Sequence, residues 1–266
     1  MDDNDRTRIQ LSVQQHYSQV ARDSAAPCCG DGPACCSSGY AAVELVGIPQ
    51  AAVDSGRGCG NPLALASLRP GEIALDLGSG GGLDALLAWQ RVGATGYVYG
   101  VDANPDMLDL ARRNAAQAGA SNIAFLPGDL EDLPLADQSV DVILSNCVLN
   151  LTLDKTQALR QAFRVLRPGG RLAVSDIVID PDLEGFSMTE GEIRAKLDWA
   201  SCSAGALTTT DLRSRLEASG FSDIDLEVLH RLSSDDLAGA AGLAPGEAAN
   251  IVARFCSMAI RARRPS

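Results

Sequence analysis

Cysteine is the residue type in this 266-residue chain best suited to chemistry, and there are eight of them. Four lie in PCCGDGPACC, as Cys28, Cys29, Cys35 and Cys36. Three stand singly: Cys59 in GRGCGNP, Cys147 in SNCVLNLT and Cys202 in DWASCSAGALT. The last, Cys256 in FCSMAI, alternates with apolar residues and reads as a packing residue. Thiolates are soft ligands, and three converging over one pocket make a pyramidal site for a soft, thiophilic acceptor. The paired cysteines could instead enclose a tetrahedral zinc ion, although adjacent side chains diverge and chelate less well than C-x-x-C. A single cysteine is more often an inert buried residue. For Cys147 position argues otherwise, since it directly follows an expected strand, and open α/β sheets bind ligands at the C-terminal ends of their strands.

The N-terminus, MDDNDRTRIQ, is polar and lacks a signal-peptide core, and no apolar run is long enough to span a bilayer. The expectation is a cytoplasmic protein that engages no membrane and whose thiols are mostly reduced. In that setting cysteines serve metal binding or catalysis rather than a disulfide framework. A net charge of -12 argues against a nucleic-acid partner. The two histidines, His16 and His230, form no acid–base motif.

The elements that must position these thiols follow from periodicity. Ile9, Val13, Tyr17 and Val20 share one face, which predicts a helix over 6–23. Residues 27–39 read as loop, and 41–62, rich in Gly and Pro, as a segment packed over another element. From Ile73 strands and helices alternate: IALDL, then LDALLAWQRV; YVYGVD, then NPDMLDLARRNAAQAG; NIAFLPGD; VDVILSN, then a helix over 154–166; and GRLAVSDIVI. Such alternation predicts a parallel sheet with helices on both faces. Residues 187–207 break the pattern as a helical insertion, TTTDLRSRLEASGF resumes as a capped helix, and 224–229 and 251–260 read as two more strands. The last is expected antiparallel, at the end of the sheet. The chain thus divides into a helix and Cys-rich segment (1–61), a Rossmann-like core (62–180), and a cap insertion with the completion of the sheet (181–266).

The turn LDLGSGGG sits between a strand and a helix, where glycine lets a ligand approach the backbone. The dinucleotide fingerprint fails, because its third glycine would fall at Leu83. Asp76, just before the turn, would repel a pyrophosphate and suits a cationic or amino-bearing ligand. Here the chain resembles the class I S-adenosylmethionine-dependent methyltransferases, through Asp76, Gly78 and Gly80 in LDLGSG, Asp102 in YGVD, Asp129 in PGDLEDLP, and RPGG at 167–170. The resemblance implies S-adenosylmethionine as methyl donor, with the Gly turn around its amino-acid part, Asp102 on the ribose hydroxyls, and Asp129 with Leu130 at the adenine. Ser79, Ala103, Gly128 and Asn146 complete the implied contact set. Taken alone, Asp102 reads equally well as a helix N-cap.

GCGNP, SNCVLNL and CSAGAL, with HYSQVA and FCSMAI, resemble the arsenite methyltransferases. That resemblance implies methyl transfer from S-adenosylmethionine to As(III) held by Cys59, Cys147 and Cys202, giving methylated arsenicals, with two thiolates reducing the arsenic afterwards. It implies a thiol reductant, thioredoxin or glutathione, as co-substrate. Cys28, Cys29, Cys35 and Cys36 are then candidates for accessory As(III) capture. The alternatives are a methyltransferase of a small organic acceptor and a metalloid binder without catalysis.

Overall fold

The computed structural model describes residues 3–23, 39–197, 199, 202–233 and 247–266. Cys28, Cys29, Cys35 and Cys36, and with them the Cys-rich extension, lie outside the described residues. Along the chain run α1 (Asp3–Arg22), α2 (Gln50–Ser55), α3 (Pro62–Ala66), β1 (Ile73–Leu77), α4 (Leu83–Val92), β2 (Tyr97–Asp102), α5 (Pro105–Ala118), β3 (Ile123–Pro127), β4 (Val140–Asn146), α6 (Lys155–Val165), β5 (Leu166–Ile179), α7 (Glu190–Arg194), α8 (Thr209–Ala218), β6 (Ser222–Arg231), α9 (Ala248–Val252) and β7 (Phe255–Arg263).

The strands form one sheet in the order β3-β2-β1-β4-β5-β7-β6. The first five are mutually parallel, as the alternation predicts, and β7 runs antiparallel to both its neighbours. This is a Rossmann-like class I methyltransferase sheet. Strands β1, β2 and β4 are short, largely buried apolar runs, because both faces of the sheet are covered there. Leu75, Ile143 and Leu144 are fully buried, and separate side-chain clusters fill the two faces. The connections that set the C-terminal ends of the strands are locally encoded. Asn104 caps α5 by accepting from the N–H groups of Asp106 and Met107, and Gly119 ends that helix in the left-handed conformation. Asp154 caps α6, and Thr208 caps α8.

Three expectations are corrected. Ile251 and Val252 belong to α9, and the final strand starts only at Phe255. That strand is not at the sheet's end: β7 is inserted between β5 and β6, so its residues are buried on both faces. The edge is β6, whose exposed Asp223, Asp225, Glu227 and Arg231 suit a solvent-facing border. Among its described residues, the 187–207 insertion is helical only at α7, which a Thr189–Glu192 capping box initiates. Its other described residues fold by turns, and Ile193, Leu197, Cys202 and Ala206 pack with Cys147 and Phe255 in a third cluster. Among the described residues, no helix is long and apolar enough to cross a membrane.

Candidate active site

A cavity of about 480 Å³ opens at the C-terminal ends of β1, β2 and β4. The Gly turn forms its floor. Gly78 and Gly80 both have positive φ, +67° and +49°. A Cβ on Gly78 would come within 2.3 Å of Val148, whereas one on Gly80 would meet nothing. Gly78 therefore lets β4's following turn approach, and Gly80 keeps space open. Ser79 and Asp76 each hold a buried side-chain oxygen without a hydrogen-bond partner among the described residues.

Buried carboxylates surround this floor. Asp102 accepts from the N–H groups of Gly80 and Asn104, both at 2.8 Å. Burial still raises its pKa, against those bonds. It is not a helix N-cap, since Asn104 takes that role. Asp84, in the first turn of α4, accepts from Tyr40 Oη and Asn146 Nδ2, and burial pushes it up to about 6. Asp76 is raised well above the carboxylate range by burial, then by the charges of Asp84 and Asp102. A low-dielectric wall of carboxylates is selective for a cation.

Of the ten cofactor contacts expected from the sequence, Gly78, Ser79, Gly80, Asp102, Ala103, Asp129, Leu130 and Asn146 line the cavity. Asp76 and Gly128 do not. Asp76 lies buried near the end of β1, outside the cavity lining. Gly128 is needed for packing, because a Cβ there would meet Pro134 at 2.6 Å. The roof was not foreseen. Residues Gln10, Gln14 and Tyr17 of α1 line the cavity from above. The amide of Asn104 holds that helix by donating to Gln14 O at 2.9 Å and Ser18 Oγ at 3.1 Å.

Of the three site cysteines only Cys147 lines this cavity, and Cys59 and Cys202 contact Cys147 from outside its lining. Cys147 follows β4 with φ +57°, donates its N–H to Ser175 O at 2.8 Å, and lines the cavity. Cys59, 88 residues away, is disulfide-bonded to it. The expectation that these thiols stay reduced is thus not met for this pair. Asn146 brings Cys59 there: its Oδ1 accepts Cys59 N–H at 3.0 Å, and its Nδ2 donates to Gly60 O at 2.9 Å and to Asp84 at 3.1 Å. Ser257 on β7 donates to Cys59 O at 2.7 Å. Cys202, also at positive φ (+64°), is buried and sets its thiol against Cys147 O at 2.8 Å. Two non-glycine residues in the left-handed region beside one pocket are the kind of local strain that collects at functional sites. Cys256 stays apart: its thiol meets Val178 O at 3.4 Å, and burial raises it to about 11. His16 and His230 are exposed and line no part of the cavity.

Asp176 is the residue that sequence reasoning missed. A carboxylate oxygen of Asp176 and the sulfurs of Cys59 and Cys147 lie within 4.8 Å of one another. Burial pushes Asp176 up to about 7, opposed by the N–H groups of Ile177 and Asn150 and by the charge of Lys155. Asn150 Nδ2 also donates to it at 2.8 Å. Lys155, pulled down to about 8 by burial, donates to the carbonyls of Asn150 and Thr152 and sits 5.5 Å from the Trp199 ring centre. The available signal was an acid inside the otherwise apolar strand AVSDIVI. Asp84 carried no signal, because an acid in a first helical turn is ordinary.

A methyltransferase-domain family model matches residues 68–220, more than half of the chain. The arsenite methyltransferase of Halobacterium salinarum is 39% identical over 242 residues, 84% of this chain and 60% of that protein. The human arsenite methyltransferase is 38% identical over 157 residues, 55% of this chain and 40% of that one. The chain therefore spans about half the length of these curated relatives. The crystal structure of an arsenic(III) S-adenosylmethionine methyltransferase from Chlamydomonas reinhardtii superposes with a TM-score of 0.67 and 32% identity, covering 84% of this chain and 72% of that one. Shared over most of both chains, that likeness and the domain match mean that this chain belongs to the arsenic(III) S-adenosylmethionine methyltransferase family, on the class I fold.

Proposed function

We propose that the protein transfers methyl groups from S-adenosylmethionine to trivalent arsenic held by Cys59, Cys147 and Cys202. The observation that carries this reading is the meeting of Cys59 and Cys147 sulfurs beside the carboxylate-walled cavity, with the Cys202 thiol on the Cys147 carbonyl. The residues fit the donor. The cavity volume of about 480 Å³ is in the range of small-molecule sites. Gly80 leaves open space, and Ser79 Oγ has no hydrogen-bond partner among the described residues. Asp102 accepts from backbone N–H groups, those of Gly80 and Asn104 at 2.8 Å, and a carboxylate so placed keeps acceptor capacity for ribose hydroxyls. When bound, S-adenosylmethionine supplies an electrophilic methyl group on a sulfonium, a cation suited to the Asp84 and Asp102 wall.

The thiols do the rest. Arsenous acid loses its hydroxyls as water, each taking a thiol proton, while three As–S bonds form. Arsenic keeps its lone pair, so no proton leaves the nucleophile and no general base is required, in keeping with histidines away from the cavity. The protein supplies proximity and alignment. Oxidation of two thiolates to the Cys59–Cys147 disulfide provides the two electrons that return methylated arsenic from the pentavalent to the trivalent state. A thiol reductant, thioredoxin or glutathione, then restores the thiols, which suits a cytoplasmic setting. Cys28, Cys29, Cys35 and Cys36 are accessory capture thiols in this reading.

The test is an assay of the purified protein with arsenite, methyl-labelled S-adenosylmethionine and a thiol reductant, with arsenic species separated chromatographically. Labelled methylarsenicals are expected, and Cys147→Ser and Cys202→Ser should abolish them. Arsenite bound without product would make the protein a metalloid binder.

A further inference from the structure

Among the described residues, the wall of the donor cavity carries Asp84, Asp102, Asp129 and Glu131 but a single Lys or Arg, Arg57. Such a wall favours the sulfonium and ammonium of the methyl donor. It disfavours the donor's third charge, the carboxylate of the methionyl tail, which needs a cation opposite it when removed from water.

The segment carrying Arg57 lines the same cavity as the Gly turn and packs against it at Gly81. Ser55 Oγ sits 2.0 Å from the position of a Cβ on Gly81. A Cβ on Gly56 would meet Leu83 at 2.9 Å, and one on Gly58 would meet Asn146 at 2.1 Å. Residues 55–58 therefore run from Gly81 and the first turn of α4 to Asn146 at the end of β4, and Arg57 lines the cavity within that stretch. Its Nη1 donates to Asp54 O at 2.7 Å and Gly56 O at 3.0 Å, which anchors the side chain at the end of α2. A planar guanidinium so anchored is suited to bidentate recognition of a carboxylate.

We propose that Arg57 binds the methionyl carboxylate of the methyl donor and, through that contact, orients the donor's tail on the Gly turn. This rests on the donor assignment above. The competing role is structural: Arg57 would do no more than cap the last carbonyls of α2.

Calorimetric titration of S-adenosylmethionine and of decarboxylated S-adenosylmethionine, which lacks only that carboxylate, separates the two roles. The proteins are wild type, Arg57→Leu and Arg57→Gln; glutamine retains an N–H donor for the α2 carbonyls without the charge. Loss of a charge-assisted pair is expected to weaken S-adenosylmethionine about 10- to 100-fold in both variants. Decarboxylated donor should change less than about threefold, because its partner for Arg57 is already missing. Equal weakening of both ligands, or no weakening of either, overturns the proposal. If Arg57→Leu fails to fold, the glutamine variant decides alone. Wild type that binds neither ligand would instead overturn the donor assignment itself.

Discussion

Asn146 Oδ1 accepts the backbone N–H of Cys59 at 3.0 Å, so the residue preceding one site thiol holds the backbone of another. The same amide donates to Gly60 O and Asp84, and Gly58 lies flat against it. Asn146 thereby spends its side chain on aligning the two cysteines, although it also lines the donor cavity. Asn146→Ala leaves Cys59 N–H and Gly60 O without these partners. Re-formation of the Cys59–Cys147 disulfide after reduction is expected to slow by about tenfold or more, matching roughly 1–3 kcal/mol for a buried unpaired group. Thiol quantitation over time measures it, and an unchanged rate would remove Asn146 from this role.

Gly78 and Gly80 separate packing from ligand space within one turn. Gly78→Ala drives a methyl into Val148 and imposes a left-handed φ on alanine. A loss of stability of about 2 kcal/mol or more is expected from strain plus overpacking. Gly80→Ala meets no protein atom and carries only the backbone cost, about 1 kcal/mol. Its added methyl group should lower donor affinity instead. Urea unfolding and donor titration on both variants check this division.

Asp176 predicts a pH dependence of stability. Its ordinary value is 3.8, and in the folded chain it is pushed up to about 7. Below the unfolded value both states are protonated, and the burial cost is absent. As pH rises through the interval up to about 7, the unfolded chain ionises first, so stability falls, by on the order of 4 kcal/mol in all. Lys155 acts at higher pH with the opposite slope: the folded chain loses its proton near 8 and the unfolded one near 10.5, so stability recovers as pH rises between them. Asp176→Asn should flatten the acid-side slope measured by urea midpoints from pH 4 to 7. A slope equal to wild type would contradict this account of Asp176.

Cys202 and Cys256 are both buried thiols with different neighbours. Cys202 packs beside Cys147 in the cluster under the insertion, whereas Cys256 faces Val178 in the central strand β7. Cys202→Ala should lower arsenite affinity, read by arsenite titration, with little change in donor affinity. Cys256→Ala should leave both affinities unchanged and cost about 1–2 kcal/mol of stability from the cavity it leaves.

The sequence by itself determined the alternating strands and helices from Ile73 to Ile179, because short apolar runs, Asn104 and Asp154 caps and the Gly119 stop are local signals. It also marked the Gly turn and the three single cysteines, whose surroundings bear a family resemblance. Tertiary structure alone decided what those cysteines meet. Cys59 and Cys147 are 88 residues apart, and their pairing depends on an amide at Asn146 and a hydroxyl at Ser257 reaching one backbone from two strands. It also decided that β7 enters between β5 and β6, since burial on both faces depends on neighbours that periodicity does not name. The same holds for Asp84 and Asp176. A carboxylate's chemistry follows from the solvent it has lost and the charges it faces, and both are properties of the assembled fold.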